Sequence, residues 1–275
     1  MKKNNWLRWA VCLSTAALIA GCSRGNNADD FVEPDPAPIL YQRALAHLQA
    51  GDNRTAAEAF EEVDRQHPAS VFAQRALLMS AYAHYEGGQF DDAEEAARRY
   101  ITLHPGNDEA AYAQYLIAQS RYQQVGDVTR DQTRAREALR AFTEITRLYP
   151  DSKYAPEAER RRELLLDHLA GKEMEVGRFY LGRQNYLAAI NRFKVVLTEY
   201  QTTRHVEEAL LRMTEAYLAL GVVNEAQTAA AILGHNYPDS PWFERAYALL
   251  NEGGLEPRED SGSWLGRNWR RLRGA

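Results

Sequence analysis

The chain has 275 residues, of which 45% are hydrophobic, and carries a formal net charge of −5; that is enough apolar material for a substantial core in one or two domains. An acidic chain is a poor nucleic-acid binder. Both cysteines, Cys12 and Cys22, lie before residue 23, so no thiol pair is left to staple the body of the chain.

The chain begins with Lys2, Lys3 and Arg8, followed by an uncharged, largely apolar run from Trp9 to Gly21. A basic start, a short apolar stretch and small residues at a cut site make an export signal, and the run is too short to span a bilayer. It ends in Leu18-Ile19-Ala20-Gly21-Cys22, which looks like a lipoprotein signal. Cys22 supplies the sulfur that takes a diacylglyceryl group, and its amine takes a further acyl chain once residues 1–21 are removed. The competing reading is an ordinary secretory peptide that happens to hold a cysteine. Ser23, in place of Asp, favours the outer membrane under the usual proteobacterial sorting rule. The mature chain would keep 254 residues, and loss of three basic side chains takes its charge from −5 to −8. No cofactor is expected beyond these covalent lipids, which anchor stably when more than one chain is present. Residues 22–38, polar and punctuated by Pro34, Pro36 and Pro38, read as a flexible tether. The expected location is the outer membrane, lipid-anchored and facing the periplasm.

From residue 39 one phrase recurs: an aromatic residue or His, then Pro, then a Ser, Asn or Thr helix cap, then Ala at a set distance. It appears as His67-Pro68-Ala69-Ser70 before Ala76 and His104-Pro105-Gly106-Asn107 before Ala113. Tyr149-Pro150-Asp151-Ser152 precedes Ala158, Tyr200-Gln201-Thr202-Thr203 precedes Ala209, and Tyr237-Pro238-Asp239-Ser240 precedes Ala246. Pro ends one helix and the capping residue starts the next. A second phrase lies upstream of each, an Ala followed four residues later by an apolar side chain: Ala56 and Phe60, Ala93 and Ala97, Ala138 and Phe142, Ala189 and Phe193, Ala226 and Ala230. Small residues let paired helices approach closely, and large ones fill the space between pairs. The pattern resembles the tetratricopeptide repeat and predicts an all-α solenoid of about five helix-turn-helix units. Repeats one to three occupy 39–150, with an insert at Gly126 to Gln132 in the third. Ala155 to Gly182 reads as a single long helix, and repeats four and five with a last helix fill 151–252.

The tail, 253–275, opens on Gly253-Gly254 and interleaves Trp264, Leu265, Trp269 and Leu272 with Arg267, Arg270, Arg271 and Arg273. The apolar residues share one helical face, so a basic amphipathic helix that touches lipid or a partner is conceivable. Disorder is the expectation for the isolated tail.

Chemistry is hard to find. There is no glycine-rich phosphate loop, HExxH, CxxC or GxSxG. His67 and His104 hold the place taken elsewhere by Tyr149, Tyr200 and Tyr237, so they are packing residues at helix ends. The remaining histidines lack ligand spacing, and pairs such as Asp91-Asp92 belong to solvated helix faces. No catalytic or metal site is expected. Solenoids of this kind work by presenting a groove lined by the first helix of each pair. Counting back from each Pro places Tyr41 and Leu45 there in repeat one, and Tyr82 and Tyr85 in repeat two. Aligning Ala113 on Ala76 brings Tyr115 and Tyr122 to equivalent places in repeat three. Tyrosines on one face suit an extended peptide, since each ring offers apolar area and a hydroxyl; the alternative is that they pack between helices.

The lipoprotein signal, the Pro-rich tether, five repeats and a break before the fourth together resemble the BamD (ComL) family of outer-membrane assembly lipoproteins. The closest segments are Asp131 to Ala138 leading to Leu148-Tyr149-Pro150-Asp151-Ser152-Lys153-Tyr154, and Phe179-Tyr180 through Ala189-Ile190-Asn191-Arg192. Departures are Gln201, where Pro is usual, and the Trp/Arg-rich tail. The resemblance implies a non-enzymatic adaptor. Its N-terminal repeats would receive the C-termini of unfolded outer-membrane proteins, which places that role on the groove tyrosines. Its C-terminal repeats would dock on a periplasmic domain of the barrel-inserting subunit (BamA), through Asn191 and Arg192 with Arg183 nearby. Other Bam lipoproteins would be further partners. A periplasmic scaffold for peptidoglycan or cell-division enzymes is the alternative, and an enzyme with a buried polar cluster in the groove is a remoter one.

Overall fold

The computed structural model describes residues 35–273. The signal peptide, Cys22 and nearly all of the tether lie outside them. Residues 37–275 form one compact unit, and among the described residues it is built from twelve helices. The first two repeats are α1 (Ala37–Gln49), α2 (Asn53–Gln66), α3 (Val71–Glu86) and α4 (Phe90–Leu103); the third is α5 (Ala110–Gln123) and α6 (Thr133–Leu148). Next come α7 (Ala155–Gly182), α8 (Tyr186–Glu199), α9 (His205–Ala219) and α10 (Val223–Asn236), followed by α11 (Pro241–Glu252) and α12 (Trp264–Arg273). Each of α1 to α10 packs on the next, and first helices also meet one another, as α1 with α3, α3 with α5 and α7 with α9. This is the expected order of five helix pairs and a closing helix, and the long helix has the predicted bounds.

The repeat phrases explain why. Ala76, Ala113, Ala158, Ala209 and Ala246 on the first helices are all fully buried, at 0% exposure. The same holds for Ala56, Ala93, Ala138, Ala189 and Ala226 on the second helices, and for their partners Phe60, Ala97, Phe142, Phe193 and Ala230. Fifteen positions chosen by spacing alone are thus the contacts through which helices close on each other.

Turns within repeats follow one rule. Gly51, Gly88 and Gly221 have φ of 77°, 73° and 71°, the left-handed conformation that glycine adopts without a Cβ penalty. In each, the next residue's N–H donates to the carbonyl five positions earlier, as Asp52 N to His47 O and Gln89 N to His84 O, and the glycine's own N–H donates to the carbonyl three positions earlier. In repeat four Gln184 takes that place with φ of 60° and makes the same bonds. Repeat three departs because its insert replaces the turn.

Capping follows expectation only in part. Ser70 and Ser240 accept from Phe72 N and Trp242 N at 3.2 Å. Asn107 accepts from Glu109 N at 2.8 Å, but at the remaining two junctions an extra turn delays the helix, so Ser152 Oγ is buried without a partner and Thr203 Oγ1 donates back to Tyr200 O. Leu165, Leu169 and Ala170 of α7 pack with the core of repeats two and three, whereas Met174 belongs to the core of repeats four and five. The core changes over within α7.

The tail is ordered, contrary to the expectation of disorder. Gln227 donates to Glu256 O at 2.7 Å, and Thr228 Oγ1 accepts from Asp260 N at 3.0 Å. Glu225 on α10 accepts from Trp264 N and Leu265 N at 2.8 and 3.4 Å, placing a carboxylate at the positive end of α12. Leu265 is buried, Trp264 and Trp269 pack on the same core, and the Lys194 ammonium lies 4.4 Å from the Trp264 ring. The physical reason is that the last repeat has an apolar flank to cover, and the tail's apolar face covers it.

A partly buried ion pair ties the first two repeats. His84, 7% exposed, sets Nε2 3.0 Å from Glu61 Oε1 and Nδ1 3.2 Å from Gln89 Oε1. Two acceptors suit an imidazolium, and the Glu61 hydrogen bond raises the His84 pKa while the same bond lowers that of Glu61. A raised histidine contributes stability that is complete below about 6.5 and is lost as pH rises through its folded value. Half-buried His205 works in the opposite sense, because desolvation lowers its pKa. Urea melts should therefore show wild type losing more stability than His84→Gln between pH 6 and pH 8.5; equal losses would remove His84 as the cause.

Candidate functional site

The six groove candidates are all half-buried, and their contacts separate them. Tyr41 on α1 lies between Phe60 and Phe72, with ring centroids 5.4 and 5.5 Å away, and Leu45 packs into the same core. These two serve packing. Tyr82, Tyr85, Tyr115 and Tyr122, on α3 and α5, border the core of repeats two and three instead. Tyr115 stacks on Tyr154 with ring centroids 4.9 Å apart, and Tyr112 stacks on the same ring at 5.4 Å. The Tyr85 hydroxyl accepts from Gln123 Nε2 at 3.2 Å, and Tyr122 lies under the Arg161 guanidinium at 4.7 Å. The result is a belt of tyrosines running across α3, α5 and the start of α7. Burial raises the pKa of Tyr82 and of Tyr112, so these hydroxyls stay protonated and can donate.

The alignment of Ala113 on Ala76 needs one correction. The offset of 37 residues takes Tyr85 to Tyr122 but Tyr82 to Gln119. Gln119 Nε2 donates to the Tyr115 hydroxyl at 2.5 Å, which brings that phenol into the belt from another turn of α5. Tyr112 and Tyr154 were missed by sequence reasoning. Tyr112 lies three residues before Tyr115, on the same helix face; Tyr154 lies in a junction where no periodicity points to it.

The docking candidates sit around the turn from α7 to α8. Arg192 is exposed, as its step of about 100° from buried Phe193 requires, but its Nη1 is 3.2 Å from Glu173 Oε2. Glu173 is only 13% exposed, so a carboxylate at position 192 would face it, and Arg192→Glu would perturb the fold as well as the surface. Asn191 and Arg192 line a shallow hollow with Tyr180, Ala188 and Val195. Arg183 is not among its lining residues; its guanidinium covers the Phe179 ring at 4.3 Å. Beside these polar groups Phe179 and Leu187 are 51% and 66% exposed, and the sequence reading gives neither a docking role. Large apolar side chains left open at a turn are the signal that exposure alone can supply.

Among the described residues no group of three His, Cys, Asp or Glu side chains is arranged to hold a metal ion, and no helix is long and apolar enough to cross a membrane.

Comparison with known proteins agrees with this anatomy. The YfiO family model, described as an outer membrane lipoprotein, matches residues 34–233. An outer membrane protein assembly factor BamD from Caulobacter vibrioides is 44% identical over 88% of this chain and 80% of its own. The protein of that name from Rickettsia prowazekii is 40% identical over 88% and 95% of the two chains, and that from Neisseria gonorrhoeae 35% over 86% and 94%. Among solved structures the MamA protein aligns with 79% of this chain at 15% identity and a TM-score of 0.33, too slight a likeness to argue from.

Proposed function

We infer the role of this chain from its family: it belongs to the BamD family of outer membrane protein assembly factors. It is an outer-membrane-associated component of the Bam machinery. The finer reading is an adaptor, not a catalyst, anchored by lipid on Cys22 and facing the periplasm. Its tyrosine belt receives extended segments of unfolded outer-membrane proteins, and its α7–α8 turn docks on a periplasmic domain of the barrel-inserting subunit, BamA.

The observation that carries the substrate role is the belt itself. Six tyrosines from three successive first helices or their starts border one core, with rings packed on one side and hydroxyls able to hydrogen-bond. Such rings bind peptide with little loss of side-chain freedom. Tyr82→Ala with Tyr85→Ala should weaken binding of a peptide that ends in an aromatic residue, each ring contributing on the order of 1–2 kcal/mol. Fluorescence anisotropy measures this. Unchanged affinity in a folded double variant assigns both residues to packing.

The docking role is supported by composition. Exposed Phe179 and Leu187 beside Arg183, Asn191 and Arg192 combine an apolar centre with guanidinium donors, the mixture that protein interfaces favour.

A further inference from the structure

The last helix has a face that neither the tyrosine belt nor the docking turn uses. Residues 261–275 contain Arg267, Arg270, Arg271 and Arg273 and no Asp or Glu, in a chain whose net charge is −5. Steps of about 100° per residue put Arg267, Arg270 and Arg271 within roughly 100° of one another, on the side of α12 away from Leu265. Leu265 is buried and Trp264 and Trp269 pack on the core of repeats four and five, so the apolar side of the helix is taken up by the protein itself. Arg267 is exposed.

The start of the helix fixes how that face is held. Gly266 N donates to Ser263 Oγ at 2.7 Å, Asn268 Nδ2 donates to Trp264 O at 2.8 Å, and Arg267 lies back on Gly262 O. Two carboxylates stand beside this end, and both are committed to backbone amides. Glu225 accepts from Trp264 N and Leu265 N, and Asp260 accepts from Gly262 N at 2.8 Å. Both serve the N-terminal end of α12, whereas Arg270 and Arg271 follow one turn later. A protein interface is built around an apolar centre with few charges, and the register gives this face none. An anionic bilayer asks for less, because basic segments are drawn to it by charge and guanidinium pairs bidentately with phosphate.

We propose that the Arg267, Arg270 and Arg271 face of α12 binds the phosphate headgroups of anionic phospholipids. This is a membrane contact after repeat five, additional to any lipid attached before repeat one, and it needs no acyl chain. It also gives the ordered tail a use beyond covering the last repeat, since packing the apolar face on the core is what turns the arginines outward as a set.

Co-sedimentation with sucrose-loaded vesicles tests it, using the whole mature chain with Cys22→Ala so that no acyl chain contributes and the result does not depend on lipidation. Phosphatidylcholine vesicles with about 30% phosphatidylglycerol should bind this protein at least tenfold more strongly than phosphatidylcholine alone. Raising the salt to about 0.5 M should remove the difference. Arg267→Gln/Arg270→Gln/Arg271→Gln, which keeps good helix formers at all three positions, should bring the two vesicle types within twofold. If that variant melts, Arg270→Gln and Arg271→Gln take its place, each lowering the preference at least twofold. Equal binding to both vesicle types, a preference that salt does not reduce, or one that survives these substitutions overturns the proposal. Absence of any vesicle preference, together with loss of a captured membrane protein in the triple variant, overturns it in favour of an acidic protein partner.

Discussion

Gly177→Ala should destabilise the protein by about 1–3 kcal/mol, the range for overpacking a filled core. A Cβ at Gly177 would stand 2.3 Å from Cε1 of Phe193. Phe193 is completely buried, so its ring has nowhere to swing and α7 must move off α8. The sign is informative because alanine is otherwise the better helix former by about 1 kcal/mol. Gly171→Ala, on the same helix with nothing nearer than 3.5 Å, should therefore be neutral or stabilising. Phe193→Ala alone should cost about 3–5 kcal/mol, and in that background Gly177→Ala should lose its penalty. Urea melts of the four-member cycle measure the coupling. Simple additivity would show that close approach at Gly177 is not what limits the site.

Cys22→Ala should move the protein almost entirely from the membrane fraction to the soluble periplasmic fraction. On the lipoprotein reading attachment rests on acyl chains, each buried CH₂ contributing about 0.8 kcal/mol. Washing the membranes with alkaline carbonate strips protein held only by partners, and separates lipid anchoring from docking. Retention of the variant after the wash contradicts lipidation at Cys22.

What sequence could read was set by repetition. Five copies of one phrase averaged out local ambiguity, so the fifteen small and large contact positions, the helix order and the span of α7 were legible before any coordinates. What depended on a single copy was not. Ser152 and Thr203 sit where a cap belongs, but an extra turn before the next helix takes their hydroxyls out of reach. The tail reads as unsupported when taken alone; its order comes from Glu225, Gln227, Thr228 and Lys194, residues 29 or more positions away for each contact made. The core changes over inside a continuous helix, which leaves no mark in composition. The candidate site was half legible. Tyr85 and Tyr122 follow from the repeat offset. Tyr154 enters through a junction, and the Arg192–Glu173 pair joins two helices through surface charges that follow no period.

The proposed adaptor role places the barrel-inserting subunit at the α7–α8 turn. The direct measurement is affinity capture from detergent-solubilised outer membranes, comparing wild type with Arg183→Glu/Leu187→Asp. Both positions are exposed, and neither takes part in the Arg192–Glu173 pair. Wild type should retain the barrel-inserting subunit, and the double variant, with an unchanged melting temperature, should retain at least tenfold less. Equal capture by the variant would place docking elsewhere, and a wild-type protein that captures no such subunit would contradict the adaptor role.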